Sequence, residues 1–394
     1  MTHVLIAGGG IGGLSAALSL AQSGLEVEVF EQAPDFGEVG AGIQLSPNAT
    51  RVLHHLGLAE ALEACAFLPE RTEFRSWRTG RLISNSPLGE SARASYGFPY
   101  YHIHRGDLLA VLVAAARSVP RISLHTSARV DGFEQDANGV HVTVAGVQHR
   151  GDALIGADGI HSVVRAGLFG PEAAAFTGNV AWRALVPVAR LPEGLIPPAA
   201  TVWWGPQGHF VCYYVRSGTL VNCVCIREKQ GWEVESWTER GDHKELKADF
   251  AGWNDTVQTL IDNANPEALY KWALHDRSPM PRWGRGVVTL LGDACHPTLP
   301  FMAQGAAMAI EDGAVLASCL RGSSDVSAAL VRYENLRRGR TAGIQRGSRR
   351  NAKVFHLRGV QAWVRNRAVR RAGARSMASL FEYDALTAAD QADG

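Results

Sequence analysis

The first 31 residues constrain the fold more than any other part of this chain. The segment "HVLIAGGGIGGLSAALSLAQSGLEVEVFE" predicts a buried strand over 3–7, a glycine-rich turn, a helix over 12–23 and a second strand over 26–30. Gly8, Gly10 and Gly13 form a GxGxxG pattern in the turn. They allow a tight turn, close approach of a pyrophosphate and close helix–strand packing, respectively. The unit therefore predicts a parallel sheet with a right-handed crossover.

Glu31, at the end of the second predicted strand, indicates which class of ligand the glycine-rich turn binds. Glu31 stands about 20 residues beyond the glycines. A carboxylate at that place accepts hydrogen bonds from ribose hydroxyl groups, and the helix N-terminus offers free N–H groups to phosphate. The segment thus predicts an adenine dinucleotide, and by itself it leaves NAD and FAD both open.

Composition excludes other classes of protein. The 394 residues are 46% hydrophobic and 20% charged, as in an ordinary globular protein, and the formal net charge is +1. That charge gives no reason to expect a nucleic acid or an anionic membrane as partner. No apolar run approaches the roughly 20 residues of a membrane helix, and the N-terminus lacks a secretory pattern. We expect a soluble, cytoplasmic protein, as a monomer or homodimer.

The six cysteines predict neither a disulfide framework nor a metal site. They are scattered through apolar segments of a long chain and lack a second half with metal-ligand spacing. We expect buried free thiols and no bound metal.

The order of sequence patterns predicts a discontinuous α/β fold. Strand and helix patterns alternate through the first third, β-rich runs follow between about 176 and 227, and a buried strand and a long helix from near 304 come next. We predict a three-layer Rossmann-like domain over 1–71, 105–175 and 281–330. A β-rich substrate domain is expected over 72–104 and 176–280, and a helical region over 331–394.

Two later stretches favour FAD. "VVTLLGDACHPTLPFMAQGAAMAIEDG" (287–313) predicts a buried strand ending at Asp293, a proline-bearing loop and a helix that opens at Gly305. "ALIGADGIHSVVR" (153–165) predicts another buried strand, ending at Asp158. Asp293 can reach a second ribose-like group, and the helix N-terminus can stabilise negative charge on a reduced flavin ring. These features favour FAD over NAD.

These motifs, taken in order, resemble one family. The GxGxxG segment with Glu31, "HRGDL" at 104–108, "GADG" at 156–159 and "GDACHP…MAQGAAMAIED" at 292–312 are similar to the class A flavoprotein aromatic hydroxylases, which are single-component FAD monooxygenases. The resemblance runs through nearly the whole chain. It implies that Arg105 contacts FAD, Asp293 its ribityl chain or pyrophosphate, and Gly305–Ala306 the pyrimidine end of the flavin.

The resemblance also implies how the electron donor binds. Asp158 belongs to a motif implicated in contact with both FAD and NAD(P)H, and no second GxGxxG follows a strand. We expect tightly bound, non-covalent FAD and a transient NADH or NADPH. The complete set of predicted cofactor-binding residues is Gly8, Gly10, Gly12, Gly13, Glu31, Gln32, Gln44, Arg105, Val130, Asp158, Asp293, Gly305 and Ala306.

The chemistry implied by the resemblance points to a substrate face. In the family, NAD(P)H reduces the flavin, dioxygen adds to form a flavin hydroperoxide, and its terminal oxygen passes to an electron-rich ring. A phenolate is more nucleophilic than a phenol of pKa near 10, so a local base is useful. His209 and Tyr213 are four residues apart in "HFVCYYV", so on a strand they share one face.

Similar hydroxybenzoate and hydroxynicotinate hydroxylases carry a His and a Tyr with this spacing in their substrate pockets. We predict that His209 assists deprotonation or binds the substrate, with Tyr213 as its partner. Arg183, in "AWRAL", is predicted to contact the flavin side or a substrate carboxylate.

Relatives within the family suggest the substrate. The sequence looks most like salicylate hydroxylase-type members, 3-hydroxybenzoate 6-hydroxylases and 6-hydroxynicotinate 3-monooxygenases. Gln44 stands where the hydroxynicotinate enzymes carry a His, and Pro300 stands where some 3-hydroxybenzoate enzymes carry a Gln that acts on substrate. A salicylate-like phenolic acid therefore leads, with Pro300 near it. Attack at the carboxyl-bearing carbon would release CO₂ and form a catechol.

Two other functions stay open at this point. One is a flavin reductase or oxidase without oxygen insertion, which would turn NAD(P)H into peroxide. The other is a non-enzymatic dinucleotide sensor, because the tail from Arg332 to Arg375 is rich in arginine and could grip phosphates. Interleaved apolar residues favour amphipathic packing of that tail instead; they are Val354, Phe355, Leu357, Val360, Trp363 and Val364.

Overall fold

The computed structural model describes residues 2–37, 41–229, 231, 239–372 and 377–392. Within these ranges the strands are β1 (His3–Ala7), β2 (Glu26–Phe30), β3 (Gly42–Leu45), β4 (Arg71–Ser76), β5 (Leu82–Pro87), β6 (Tyr101–His104), β7 (Ile122–His125), β8 (Val130–Asp136), β9 (Gly139–Val144), β10 (Val147–Gly151), β11 (Ala153–Gly156), β12 (Ala175–Pro187), β13 (Ala199–Gly205), β14 (Gly208–Val215), β15 (Leu220–Glu228), β16 (Tyr270–Asp276) and β17 (Val288–Leu290). The α-helices are α1 (Ile11–Gln22), α2 (Pro47–His55), α3 (Ala59–Cys65), α4 (Gly89–Tyr96), α5 (Arg105–Ser118), α6 (Val163–Phe169), α7 (His243–Asp249), α8 (Asp255–Asp262), α9 (Gly305–Leu320), α10 (Val326–Phe355), α11 (Gly359–Ala372) and α12 (Ala378–Phe381).

A five-stranded parallel sheet in the order β17-β11-β1-β2-β7 forms the centre of the α/β domain. The register pairs Ala7 with Gly156 and Gly156 with Leu290, so β1, β11 and β17 end together. The loops that follow these three strands therefore meet at one edge, which is where open parallel sheets bind ligands. The parallel sheet and the strand–turn–helix opening confirm the predicted fold class.

Two helices approach each other closely beside this sheet. A Cβ on Gly313 of α9 would lie 2.9 Å from the Cα of Ala16 in α1, so only glycine permits this approach. Gly12 makes a similar contact, because its Cβ would lie 3.2 Å from the Cβ of Ala309. The N-termini of α1 and α9 are thereby held near the same edge of the sheet.

The second large sheet has seven strands in the order β16-β12-β15-β14-β13-β4-β5 and is antiparallel except between β13 and β4. One face of β14 packs Phe210 and Cys212 into an apolar core with Phe250 and Trp253. The alternate residues of β14 point to the opposite face. These strands lie between 71 and 87 and between 175 and 276. β6, by contrast, pairs with β3 in a separate two-stranded sheet, while the predicted domain boundaries stay a prediction.

A buried ionic cluster ties α9 to α10. Arg337 contacts Glu311 and Asp312, each at 2.7 Å, and the His296 Nε2 lies 2.6 Å from Asp312 Oδ2. Burial alone would raise the pKa of Asp312, but His296 and Arg337 lower it to about 2. A buried charge is stable only with such partners, so the cluster specifies how α9 sits and where its N-terminus points.

The C-terminal helices differ from the predicted packing. Val360, Trp363 and Val364 of α11 are 78%, 62% and 53% exposed, so the predicted apolar packing is wrong for these three residues. Arg365 takes the inward face instead. Its guanidinium lies 4.5 Å from the ring centre of Trp204 and donates to two carbonyl groups at the end of α10. A buried arginine that satisfies helix-end carbonyls displaces the apolar residues outward.

The described residues offer neither a cluster of metal ligands nor a membrane-spanning helix. Among the described residues no group of three or more His, Cys, Asp or Glu is placed to hold a metal ion. No helix in the described part of the chain is both long and apolar enough to cross a bilayer.

The thiols should react unequally. All six cysteines are free, five are buried, and burial raises the pKa of Cys212, Cys223, Cys225 and Cys295. Because the thiolate is the reactive form, we expect at most one fast-reacting thiol, Cys65, with a thiol reagent at pH 8, and six after denaturation. Ellman titration measures both numbers, and Cys65→Ser should remove the fast phase. Two or more fast thiols in the native protein would contradict this packing.

Candidate active site

A cavity of about 630 Å³ lies between the carboxyl edge of the parallel sheet and the free face of the seven-stranded sheet. This volume falls within the range of ligand sites, about 300–1,000 Å³. All but one of the residues predicted to bind cofactor or substrate line it: Gly8, Gly10, Gly12, Glu31, Gln32, Gln44, Arg105, Val130, Asp158, Arg183, His209, Tyr213, Asp293, Pro300, Gly305 and Ala306.

Gly13 is the exception, because it does not line the cavity. A Cβ on Gly13 would lie 2.0 Å from the carbonyl oxygen of Gly8. The third glycine of the motif is therefore a packing residue that lets α1 meet the strand, and its prediction as a direct cofactor contact is not supported by its position.

The glycine loop has the form of a phosphate cradle. Gly8 has φ +104°, and a Cβ there would lie 2.4 Å from the carbonyl oxygen of Ala157, so this position requires glycine. Gly10 has nothing within 4 Å of its Cβ position and faces the open cavity. α1 starts directly after Gly10 without a side-chain cap or an acidic residue in its first turn. Its N–H groups are free to bind an anion.

Glu31 is oriented by the same loop. Its Oε2 accepts a hydrogen bond from the Gly9 N–H at 2.8 Å, and its Oε1 accepts one from the Ala33 N–H at 2.8 Å. The carboxylate lines the cavity at the end of β2. Carboxylate oxygens have further lone pairs, so Glu31 can still accept hydrogen bonds from ribose hydroxyls.

Two aspartates border the cavity from neighbouring strand ends. Asp158 Oδ2 accepts hydrogen bonds from the N–H groups of Val163 and Val164, whereas its buried Oδ1 has no hydrogen-bond partner among the described residues. Burial raises the pKa of Asp158. Asp293 faces the cavity. Burial by the surrounding protein raises its pKa, and His296 and Arg105 partly oppose this shift. Both side chains are placed to meet a polar ligand.

The N-terminus of α9 supplies a positive dipole end to the cavity. Gly305 and Ala306 line the cavity, and the first turn carries neither a side-chain cap nor an acidic residue. Gln304, the preceding residue, turns away and donates to Ser46 Oγ at 2.9 Å. Ala303 adopts φ +53°, a left-handed conformation that alanine rarely takes. The turn thus directs free N–H groups at the ligand.

The opposite wall combines cationic, aromatic and acid–base groups. Arg183 on β12 donates to the Gly42 carbonyl at 3.3 Å and lies 5.1 Å from the ring centre of Trp272. Its buried Nε has no hydrogen-bond partner among the described residues. Tyr213 and His209 line the cavity from β14, which confirms that they share a face. Burial raises the pKa of Tyr213, although Arg183 opposes the shift, so its hydroxyl is a donor at neutral pH.

His209 has a hydrogen-bond partner that the sequence did not reveal. Its Nδ1 lies 2.9 Å from Nε2 of His356 at the end of α10, 147 residues along the chain. Burial and then His356 lower the pKa of His209 well below its ordinary value. The lowered pKa favours the neutral imidazole, which has one unprotonated nitrogen able to accept a hydrogen bond. Because His209 and His356 are far apart in the sequence, no local pattern indicates that they pair. Trp272, which lies beside Arg183, could have been noticed in the strand-like "KWALHD".

Buried histidines should make stability depend on pH. Burial lowers the pKa of His102, which lies beside Tyr213 with ring centres 4.6 Å apart, to about 3. The unfolded state then binds the proton first, so stability is intact above about pH 6.5 and falls as the pH drops towards 3. We expect His102 alone to cost about 2 kcal/mol between pH 7 and 5. Urea unfolding at both pH values measures this, and His102→Gln should remove about one proton from the slope. An unchanged slope would contradict a neutral His102.

Comparison with known proteins gives the family. The sequence matches the family described as "FAD binding domain" over residues 1–347. It is 42% identical over 368 residues to 3-hydroxybenzoate 6-hydroxylase of Polaromonas naphthalenivorans, covering 92% of this chain and 90% of that protein. The chain belongs to the FAD-dependent aromatic hydroxylases. The family predicted from the sequence motifs is confirmed.

Other family members agree in sequence and fold. A 6-hydroxynicotinate 3-monooxygenase of Pseudomonas fluorescens is 39% identical over 356 residues, covering 89% of this chain and 91% of that protein. The solved structure described as a salicylate hydroxylase substrate complex superposes with a TM-score of 0.83 and 27% identity, covering 99% and 98% of the two chains. This hydroxylase is therefore an aromatic-ring monooxygenase that uses FAD and NAD(P)H.

The cavity fits FAD. The open space at Gly10, the free N-termini of α1 and α9, and the unpartnered Asp158 Oδ1 are the features that a dinucleotide with a flavin ring requires. The glycine loop and Glu31 would hold its adenosine half, and Asp293 with Gly305–Ala306 its flavin half. When bound, FAD supplies the redox chemistry with NAD(P)H and dioxygen. The protein contributes binding, orientation and proton transfer.

Proposed function

We propose that this hydroxylase acts on a one-ring phenolic carboxylic acid, with salicylate as the leading member of that class. The proposal is supported mainly by the arrangement of Arg183, His209 and Tyr213 on one wall of the cavity. The N-terminus of α9 lines the opposite wall. These groups match the two polar parts of such a substrate, its carboxylate and its hydroxyl.

Arg183 is the proposed carboxylate contact. Its guanidinium is confined to the cavity by the Gly42 carbonyl and Trp272, and it retains an unpartnered Nε among the described residues. A planar guanidinium binds a carboxylate through two parallel hydrogen bonds, and its charge is weakly screened when it is buried. Arg183 would therefore fix the orientation of the ring.

His209 and Tyr213 are proposed to handle the substrate hydroxyl. The neutral His209 accepts the phenolic proton, while the Tyr213 hydroxyl donates a hydrogen bond to the oxygen that becomes negative. The positive charge of Arg183 stabilises the phenolate further. Deprotonation makes the ring electron-rich, as oxygen transfer to it requires.

The names of similar proteins support the substrate class. A 3-hydroxybenzoate hydroxylase, a 3-amino-4-hydroxybenzoate monooxygenase and a 6-hydroxynicotinate monooxygenase are 42%, 41% and 39% identical to this chain. Each of these substrate names denotes a hydroxylated aromatic acid with one ring. 3-Hydroxybenzoate and 6-hydroxynicotinate are therefore the alternatives to salicylate. We infer a cytoplasmic protein because the proposed reaction consumes NAD(P)H, and light scattering would distinguish a monomer from a homodimer.

The test is oxygen uptake by the FAD-loaded protein with NADH or NADPH. Salicylate, 3-hydroxybenzoate and 6-hydroxynicotinate are compared, with product identification and peroxide counting. Catechol formed in step with NADH would establish salicylate and the decarboxylative course. If NADH oxidation with salicylate yields only peroxide, salicylate is an effector and not the substrate. 3-Hydroxybenzoate and 6-hydroxynicotinate then become the leading candidates.

A matched variant tests the carboxylate contact. Arg183→Met should raise KM for the acid at least tenfold, because one charged hydrogen-bonded pair is worth about 1.5–3 kcal/mol. The KM for the corresponding phenol without a carboxyl group should change little. Equal turnover of the acid and the neutral phenol by the parent enzyme would contradict the proposal.

A further inference from the structure

Three residues connect the cavity to the protein surface. His209 Nδ1 lies 2.9 Å from His356 Nε2, and His356 Nδ1 lies 2.8 Å from Glu228 Oε1. The side chain of His356 is 3% exposed, whereas that of Glu228 is 46% exposed. His209 lines the cavity, and the other two residues do not. We call His209, His356 and Glu228 the histidine relay.

The middle of the relay is buried, and aromatic rings pack against it. The ring centres of Phe301 and Phe355 lie 5.2 and 5.3 Å from that of His209. His356 caps the end of α10, and its carbonyl accepts a hydrogen bond from the Gln207 N–H. The two imidazoles thus form a continuous hydrogen-bonded path within this apolar surrounding.

The hydrogen bonds define a direction. A carboxylate can only accept, so His356 must donate from Nδ1 to Glu228. Neutral His356 then has a bare Nε2, which can only accept from Nδ1–H of His209. The Nε2 of neutral His209 is then unprotonated, and it makes no hydrogen bond with any described residue. The relay thus presents a proton acceptor to the cavity and a carboxylate to solvent.

Burial, helped by two nearby arginines, favours the neutral form of His356. Burial lowers its pKa, the Glu228 carboxylate raises it, and Arg227 and Arg365 lower it. Arg227 donates to the Pro206 carbonyl, and Arg365 donates to helix-end carbonyls, so neither arginine competes for Glu228 in these contacts. A protonated, cationic His356 is therefore disfavoured, so a proton that reaches His356 is passed on and does not remain there.

We propose that the histidine relay carries the hydroxyl proton of the substrate from the cavity to bulk water through His209, His356 and Glu228. The inference rests on the proposed function for the identity of the proton donor. His356 and Glu228 act through His209 and are positioning residues that do not touch the substrate.

The proton transfer balances without any redox change. The substrate O–H bond breaks as Nε2–H of His209 forms, and Nδ1–H of His209 breaks as Nε2–H of His356 forms. Nδ1–H of His356 then passes to Glu228, which releases a proton to water. The substrate keeps the bonding electron pair as a phenolate. Reverse flow of a proton to the product oxygen restores the starting tautomers.

The first test needs no substrate. Holoenzyme with ¹⁵N-labelled histidine is examined by NMR at pH 7.5, and the ring signals are assigned with His209→Gln and His356→Gln. Both rings should be neutral and protonated on Nδ1. A His209 protonated on Nε2, or an imidazolium at either position, would overturn the relay.

The second test follows the proton. Oxidised holoenzyme without NAD(P)H is mixed in separate runs with salicylate and with 3-hydroxybenzoate, in weak buffer containing a pH indicator, and phenolate absorbance is recorded in parallel. Proton release should slow at least tenfold in Glu228→Gln and His356→Gln. Millimolar imidazole should restore the rate in Glu228→Gln, where the defect lies at the surface, and not in His356→Gln.

The control is Glu267→Gln, which removes an exposed carboxylate that does not belong to the histidine relay. It should release protons at the parent rate. Parent-like rates in both relay variants would overturn the proposal. If the parent enzyme ionises none of the phenolic acids while the NMR tautomers are as expected, the proposed function fails and the relay geometry is upheld.

Discussion

Gly10→Val is expected to weaken FAD binding about 100-fold, equivalent to about 2.7 kcal/mol, while leaving the apoprotein folded. Gly10 has φ −75° and ψ −173°, which any residue adopts, and nothing lies within 4 Å of its Cβ position. The new side chain is therefore tolerated by the protein and projects into the space where the glycine loop admits a pyrophosphate. Flavin fluorescence during titration of apoprotein measures the dissociation constant.

Gly343→Val is the matched control. Gly343 lies in α10, is exposed, and also has nothing within 4 Å of its Cβ position, but it is remote from the cavity lining. Its FAD affinity should equal that of the parent protein. Thermal unfolding of the apoproteins should give similar midpoints for all three proteins. Normal FAD affinity in Gly10→Val would show that the cofactor does not approach this loop.

His209→Gln is expected to lower kcat for the phenolic substrate by about 100-fold or more, the usual contribution of a general base. Glutamine keeps a polar side chain on β14 but cannot accept the proton. The loss should shrink as the pH rises towards the substrate pKa near 10, because the hydroxyl then ionises unaided. Steady-state rates between pH 7 and 10, with product quantified, test this.

Two measurements distinguish a role of His209 as general base from a purely structural role. Reduction of the bound flavin by NAD(P)H should be nearly unchanged in His209→Gln, and peroxide should replace hydroxylated product. Tyr213→Phe, which removes only a hydroxyl, should lose about tenfold in kcat, the value of one hydrogen bond to a charged group. If His209→Gln kept kcat within threefold of the parent at pH 7, His209 would not be the base.

Local patterns in the sequence were sufficient to predict most residues that line the proposed cofactor half of the cavity. GxGxxG, Glu31 and the strands that end at Asp158 and Asp293 are each contiguous, and each has a defined backbone role at a strand end. Parallel strands bring their carboxyl ends to one edge, so these local signals converge without knowledge of side-chain packing. The alternation of a strand likewise placed His209 and Tyr213 on one face.

The C-terminal helices show why other parts could not be predicted. Val360, Trp363 and Val364 alternate with arginines in a way that suits an amphipathic helix. The orientation of α11 depends on where the Arg365 guanidinium finds carbonyl groups and the Trp204 ring. Such long-range partners carry no periodic signal.

The sequence by itself determined the family, the resident FAD and the α/β architecture, because these depend on short motifs and on strand ends that any parallel sheet aligns. Only the tertiary structure decided what lines the proposed substrate wall of the cavity. It placed Arg183 beside Trp272 and joined His209 to His356, which is 147 residues away. Contacts between distant segments are set by how sheets and helices pack, and packing depends on all of their side chains together.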